Sequence, residues 1–554
     1  MIRLRIVGLF ICILISAIVV RLFYIQVLAP DAFASNDYLR TIRITPLRGT
    51  ITDRHGEPLV INETRYVLFA EPKTFVEDKR DIVEDIDRIL KIGEATLEAK
   101  LDTDKSWVAL DRDVSQKEKD RISKQDIHGL GFDETSRRFY PEASLSAHLV
   151  GFVGNDEDGD DVGYFGVEGY YNKDLEGLPG ILKTERDVLG RPIVVGTQDK
   201  LKGENGRKLV LTIDKNTQRI AKQKLVKAVE QYQAQSGCVT VANPDTMEIL
   251  AMTCIPDFDP LEYYEFTEKE FKNPIVSDVF EPGSIFKPLV VASALDARVI
   301  KPDDIYNEKG PIKIGKYYIR TWNDEYHGKV NMSQILQNSS NVGMVHIGKK
   351  LGEKKLYESI EKYGFGSETG IDIQGEVASP LKKMDSWYKI DFATATFGQG
   401  IAVTQMQILT AFSSIINGGW LMKPYVVKEM VSESGDVKKI VPKKIRRVIT
   451  DKTSSQIRKM LHEVVLHGEA NWKTPDGYEI GGKTGTAQIA VEGSYDASKT
   501  NASFIGFVPV NDPKLIMLVT LHQPATSPWA SETSAPLFFD IVKDLIVEYN
   551  ISPN

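Results

Sequence analysis

The chain has 554 residues, 42% apolar and 26% charged, the balance of a globular protein long enough for two or three domains with sizeable cores. A formal net charge of −8 argues against a polyanion-binding protein, so no nucleic-acid partner is expected. Three cysteines give no disulfide framework. Cys12 lies in an apolar leader; Cys238 and Cys254 could pair in an oxidising compartment, and the reading preferred is two single thiols packed as small hydrophobes.

From Ile6 to Val20 there is no charge; Arg21 interrupts, and Leu22–Leu28 continues mostly apolar. Ile6–Leu28 is long enough to span a bilayer, with Arg21 snorkelling to the outer interface. Arg3, Arg5 and the free amine precede it, which leaves the short N-terminus in the cytoplasm and everything after the span outside. The rival is a cleaved signal peptide ending at Ala32-Phe33-Ala34, but that site lies far from the apolar run, across Arg21 and Asp31. An uncleaved single-pass anchor is the expectation.

Residues 29–205 read as a non-catalytic platform. Arg48-Gly49-Thr50-Ile51-Thr52-Asp53-Arg54-His55-Gly56 suggests a short strand at Thr50–Thr52 and a turn with Gly56 at a positive φ. Its charges form either a cluster or an ordinary solvated turn. Asp81–Lys91 has the period of a surface helix with Ile82, Ile86 and Ile89 inward. Arg137-Arg138-Phe139-Tyr140-Pro141, Ser146–Phe152 and Gly166-Val167-Glu168-Gly169 follow, and His148 among them reads as a hydrogen-bonded packing residue. The acidic run Asn155–Asp161 fails the EF-hand spacing, with Asp160 at position six and Gly166 at position twelve, and reads as a solvated loop.

Beyond residue 206 the pattern changes. Lys208–Ile213 reads as a strand, and Asp214 caps a helix with Ala221, Leu225 and Val229 on one stripe. Gly237–Ala242 and Glu248–Thr253 form a hairpin. Glu281-Pro282-Gly283-Ser284-Ile285-Phe286-Lys287 then delivers Ser284 to the start of an apolar helix, with Lys287 three residues on and on the same face. A serine hydroxyl is a poor nucleophile until a base takes its proton, and a desolvated lysine can be that base. A helical lobe continues to Asn417 and holds Ser339-Ser340-Asn341 between two helices; Gly418-Gly419 ends its last helix. β structure returns at Tyr478–Ala490, which carries Lys483-Thr484-Gly485-Thr486, and at Ser503–Val508 and Leu515–Leu521, before a helix over about Pro536–Tyr549. Strands at both ends of the domain around an all-helical insertion give an α+β architecture, an antiparallel sheet covered by helices.

Taken singly, each motif has a bland reading: an N-cap serine, a helix start, a strand end. Ser-x-x-Lys, Ser-x-Asn and Lys-Thr-Gly in this order resemble the trio of the penicillin-binding proteins. The segment Arg48–Gly56 is similar to the membrane-proximal signature of their class B, which has a transpeptidase but no glycosyltransferase domain. The resemblance covers nearly the whole chain: anchor 1–28, pedestal 29–205, transpeptidase domain 206–554 with the serine penicillin-recognising fold. It implies acyl transfer to Ser284 from a D-Ala-D-Ala stem peptide. Lys287 would act as base, Ser339 as proton relay, and Asn341 as a clamp on the Lys287 ammonium and the substrate amide. Lys483, Thr484 and Thr486 would receive the donor carboxylate, and Gly485 would admit close backbone approach. Backbone N–H groups of Ser284 and Thr486 would form the oxyanion hole. No cofactor and no metal are implied.

The partners implied are peptidoglycan stem peptides as donor and amine acceptor, β-lactams, the membrane, a polytopic lipid-II-polymerising glycosyltransferase and division proteins. Asp278-Val279-Phe280 and the short leader are similar to the division-specific branch, with an elongation-type paralogue as the close competitor. A β-lactamase or D,D-carboxypeptidase shares the fold. None of Glu353, Glu358, Glu361, Glu368 or Glu376 has the Asn four residues on that marks a class A β-lactamase. A β-lactam sensor or division scaffold is the non-enzymatic alternative, and a sensor would need a cytoplasmic output that one short leader does not supply.

Overall fold

Five runs rich in Val, Ile, Thr and Phe pair side by side in the computed structural model, because such residues fit a pleated surface buried on both faces. Their antiparallel order is Ile249–Ile255, Ser236–Ala242, Leu515–His522, Ser494–Val508 and Gly481–Val491. The structure describes residues 2–28, 39–102, 104–157, 159–185, 198–468, 474–491 and 494–553. Side-chain alternation splits the core in two. Val239, Phe504, Val519 and Leu521 pack on Leu225 of the helix Lys215–Tyr232 and on Phe538 and Leu545 of the helix Ser534–Glu548. Ile505, Phe507, Ile516 and Leu518 point the other way, into a core with Leu289, Phe412 and Ile457. Those residues come from the helices Lys287–Asp296, Gln405–Ile416 and Asp451–His467. Every residue of Gln405–Ile416 is buried. Thr404 and Gln407 close a capping box at its start, and the consecutive positive-φ residues Gly418 and Gly419 follow its end.

Two compact units emerge from the contacts, Met1–Leu47 with Gly177–Gly206, and Arg48–Glu176 with Arg207–Asn554. The first contains the helix Ile2–Phe23, prolonged by a π-helical turn to Leu28, and a three-stranded sheet of Leu39–Ile44, Gly180–Glu185 and Gln198–Leu201. Arg5–Val27 is long and apolar enough to cross a membrane, a property that a signal sequence shares. The Ala32–Ala34 site lies outside the described residues.

The second unit joins residues from both sides of residue 206 through a further sheet. Its strands run in the order Val437–Lys439, Val427–Val431, Lys208–Leu211, Ile51–Thr52, Pro58–Ala70 and Val108–Val114, and Leu130–Phe139 also pairs with Pro58–Ala70. Ile51–Thr52 and Lys208–Leu211 run parallel, so strands from either side of residue 206 share one ladder. The helix Lys79–Leu90 buries Ile82, Ile86 and Ile89 as the period requires. His148 is buried, bonds the Glu270 carbonyl at 3.0 Å and lies edge-on to Phe258, and burial pushes its pKa down. It is the packing residue expected.

Three readings change. Cys238 and Cys254 form a disulfide. The second strand of the hairpin runs on to Ile255, two residues past the expected end, and this places Cys254 opposite Cys238. The helical lobe also carries two short β pairings, Ile305–Glu308 with Gly328–Asn331 and Ile312–Ile314 with Tyr317–Ile319, the latter about a turn with Gly315 at φ 58°. The acidic run is solvated as expected: its described residues are exposed, and Phe152–Asn155 pairs with Asp161–Tyr164 around it. Finally, the Arg48 segment is no solvated turn. Arg48 Nε and Arg138 Nε donate to the two carboxylate oxygens of the fully buried Glu168 at 2.8 and 2.7 Å. Asp53, also buried, accepts from the N–H groups of His55 and Glu57, both at 2.8 Å.

Removing one member of a buried ion cluster strands the others, which costs roughly 3–5 kcal/mol. Glu168→Gln is therefore expected to lower the stability of the full-length protein by about that amount. A denaturant titration in detergent measures it, and a shift no larger than that of a surface Glu→Gln control would contradict this account.

Candidate active site

Ser284 sits in a tight 3-10 turn, Gly283–Phe286, and Lys287 opens the α-helix Lys287–Asp296 with Pro288 next to it in the first turn, where a missing N–H is harmless. Gly283 is held at φ 56°, a conformation open to glycine. Lys287 is fully buried. Its Nζ donates to Ser339 Oγ at 3.1 Å and to the Ser339 carbonyl, and Ser339 Oγ donates to Ser284 Oγ at 3.0 Å. The lysine and the two hydroxyls thus form one unbroken run.

The backbone at Ser339 explains how the hydroxyl reaches that position. The helix Met332–Gln337 ends with Ser339 at φ 51°, a left-handed conformation normally given to Gly after a helix. For an L-residue it costs about 1–2 kcal/mol. Ser340 then caps the helix Asn341–Leu351 by accepting from the Gly343 N–H at 2.9 Å. Ser340 is the capping serine, and Ser339 is free to face Lys287. Asn341 Nδ2 donates to the Arg320 carbonyl at 3.0 Å.

Lys483-Thr484-Gly485-Thr486 lies on the sheet-edge strand Gly481–Val491. Lys483 is fully buried and donates to Thr484 Oγ1 at 3.0 Å, so the ammonium stands behind the threonine hydroxyl. Gly485 has a local reason. A Cβ there would come within 2.8 Å of Ile285 Cγ2 and 3.1 Å of the Pro282 carbonyl, so the edge strand could not lie against the Ser284 turn. A Cβ on Gly398 would meet the Gly283 carbonyl at 2.2 Å, and the Gly398 carbonyl accepts from the Gly283 N–H at 3.1 Å. The turn is gripped from two sides.

Ser284, Ser339, Asn341, Thr484 and Thr486 all line one cavity of about 380 Å³, with Lys287, Lys483 and Gly485 packed behind its walls. Sequence reasoning missed Trp322, Gln399, Trp529 and Glu532, which line the same cavity. Trp322 and Trp529 lie in loops 207 residues apart, and their rings meet at 5.0 Å. No local pattern announces such a pair.

Two linked serines and a buried lysine beside a sheet edge that offers threonine hydroxyls fit a serine acyltransferase of the penicillin-recognising kind. The comparisons with known proteins agree with the geometry. The family model "Penicillin binding protein transpeptidase domain" matches residues 237–543, and "Penicillin-binding Protein dimerisation domain" matches residues 43–211. Stage V sporulation protein D of Bacillus subtilis is 33% identical over 100% of this chain and 86% of its own length. The peptidoglycan D,D-transpeptidase FtsI of Escherichia coli is 29% identical over 96% of this chain and 90% of its own. The crystal structure of a peptidoglycan synthetase from Bifidobacterium adolescentis superposes with TM-score 0.76 at 26% identity, covering 93% of this chain and 98% of that one. The chain belongs to the penicillin-binding proteins, in their monofunctional class B. It is a serine-type D-Ala-D-Ala transpeptidase acting on peptidoglycan.

Gly485→Ala should separate the edge strand from the Ser284 turn while leaving the fold intact. A displacement of about 1 Å in such a site costs on the order of 10²-fold in rate. The second-order rate of reaction with a fluorescent penicillin is expected to fall by that order, with a small change in melting temperature; an unchanged rate would refute the steric account.

Proposed function

We propose that this protein cross-links peptidoglycan in the septal wall, with Ser284 as nucleophile and the Lys287–Ser339–Ser284 run as its proton path. That run on the cavity floor is the observation that carries the reading. In the resting arrangement Lys287 donates to Ser339 and Ser339 to Ser284. When a neutral Lys287 receives the proton, both hydroxyls reverse, and Ser284 Oγ attacks the carbonyl of the penultimate D-Ala. The C–N bond breaks, D-Ala leaves with a proton returned along the same path, and an acceptor amine later displaces Ser284 from the acyl carbon. Thr484 and Thr486 hold the donor carboxylate, with the Lys483 charge behind them. Backbone N–H groups of Ser284 and Thr486 take the oxyanion, such donors being worth roughly 3–4 kcal/mol each. Asn341 orients the substrate amide.

Residues 1–28 act as the anchor, with the N-terminus inside and the catalytic domain outside; 29–205 form the pedestal and 206–554 the transpeptidase domain. The apolar Arg5–Val27 helix and the two family matches support this division. A lipid-II-polymerising glycosyltransferase and division proteins are its proposed neighbours. The septal role draws on the division-type features of the sequence and on relatives named FtsI. A second reading is favoured by the relative named for stage V of sporulation, the same chemistry deployed in spore formation. Depletion should give filaments without septa. Rounded cells would assign the chain to elongation, and normal growth with a block in sporulation would favour the second reading.

Mass spectrometry of a digested penicillin adduct should place the label on Ser284, and Ser284→Ala and Lys287→Ala should both lose it. Label retained in Ser284→Ala would overturn the nucleophile assignment. With excess nitrocefin the full-length protein should give a burst of roughly one equivalent and then a nearly flat trace. Sustained turnover lost in Ser284→Ala would assign a β-lactamase instead.

A further inference from the structure

The cavity that holds Ser284 is lined by hydroxyls, amides and aromatic rings, and among the described residues that line it Glu532 is the only charged side chain. This is unexpected in a site whose donor substrate ends in a carboxylate. Glu532 belongs to the segment between the last sheet strand and the C-terminal helix, and that segment is firmly pinned. The Thr500 hydroxyl donates to the Pro528 carbonyl at 2.9 Å, and the Ala530 N–H donates to Thr486 Oγ1 at 3.1 Å. Ser527 Oγ donates to Glu532 Oε2 at 2.6 Å, and the Glu532 N–H donates to the Trp529 carbonyl at 3.1 Å. The carboxylate is therefore held in place on the same segment as Trp529. Trp529 meets Trp322 from the helical lobe, and the two indoles are 39% and 50% exposed, leaving much of their surface without protein cover.

A pinned carboxylate and two open indoles lining one cavity suit an ammonium group: the carboxylate supplies charge, and indole faces attract a cation through their quadrupole. We infer that Glu532, Trp322 and Trp529 form the entry site for the acceptor amine, and that this site selects an amine whose own carbon carries a neutral amide or plain alkyl chain over one whose carbon carries a free carboxylate. The inference rests on the transpeptidase reading above and adds the chemical class of its second substrate. An amine next to a free carboxylate brings a negative charge against Glu532, whereas an amidated or unsubstituted amine does not. The acceptor arrives as an ammonium and loses one proton to solvent water. Its nitrogen lone pair then forms the N–C bond to the acyl carbon, the C–Oγ bond to Ser284 breaks, and the second nitrogen proton passes through Ser339 to Ser284 Oγ. The products are one amide and the free enzyme.

The test uses full-length protein in detergent micelles, a D-Ala-type thioester donor, and D-alanine and D-alaninamide in competition for the same acyl-enzyme. The ratio of the two aminolysis products is independent of how fast the acyl-enzyme forms. The wild type should favour the amide by about tenfold after correction for the amine protonation of each acceptor. Glu532→Gln should bring the ratio near unity, and Glu532→Asp should restore most of it. On the wild type alone, raising the salt from about 0.05 to 0.5 M should shrink the preference, because an exposed charge is screened over that range. A wild type without preference, or a preference that survives both Glu532→Gln and high salt, would overturn the proposal. Failure to form any acyl-enzyme on Ser284 would instead remove the transpeptidase reading on which it rests.

Discussion

Everything in this site depends on how closely the edge strand Gly481–Val491 can approach the Ser284 turn. Gly485 lies against Ile285 and Pro282, and a Cβ on Gly283 would touch Ala487 at 3.2 Å from the other side of the contact. Gly398 closes on the same turn from the helical lobe. Three missing side chains therefore set the distance between Ser284 and the two threonine hydroxyls. The surrounding cores, fully buried on both faces of the sheet, keep that distance fixed, since close-packed interiors resist small displacements.

Within this frame the polar groups are placed by local conformations that would be unfavourable elsewhere. Ser339 occupies a left-handed position after a helix, and two lysines are wholly buried. Each departure is covered by a neighbour: Lys287 by Ser339, Lys483 by Thr484, and the end of the preceding helix by the start of the next. Strain at Ser339 is the kind that persists at functional positions because the packing around it leaves no alternative.

Much of this was legible in the sequence because it is encoded locally. The apolar run after Ser284, the inward isoleucines of Lys79–Leu90 and the order of the motifs each need only a short window. The Ser-x-Asn motif was legible as residue types but not as geometry, since nothing in Ser339-Ser340-Asn341 says which serine caps and which turns inward. The disulfide depended on a two-residue extension of one strand. Glu532, Trp322 and Trp529 come together only through tertiary structure, on loops whose sequences read as ordinary surface. The buried cluster of Arg48, Arg138 and Glu168 is the intermediate case. All three segments stood out, but their meeting across 120 residues of chain did not.

The parallel pairing of Ile51–Thr52 with Lys208–Leu211 bears on how the molecule can be cut. A fragment beginning at residue 206 would keep every motif of the cleft yet leave Leu209 and Val210 with a bare ladder edge, deprived of the strand that covers them. Unpaired edges of this kind invite pairing between copies. Ile51–Thr52 thus covers a ladder edge of Lys208–Leu211 that would otherwise lie open to other copies.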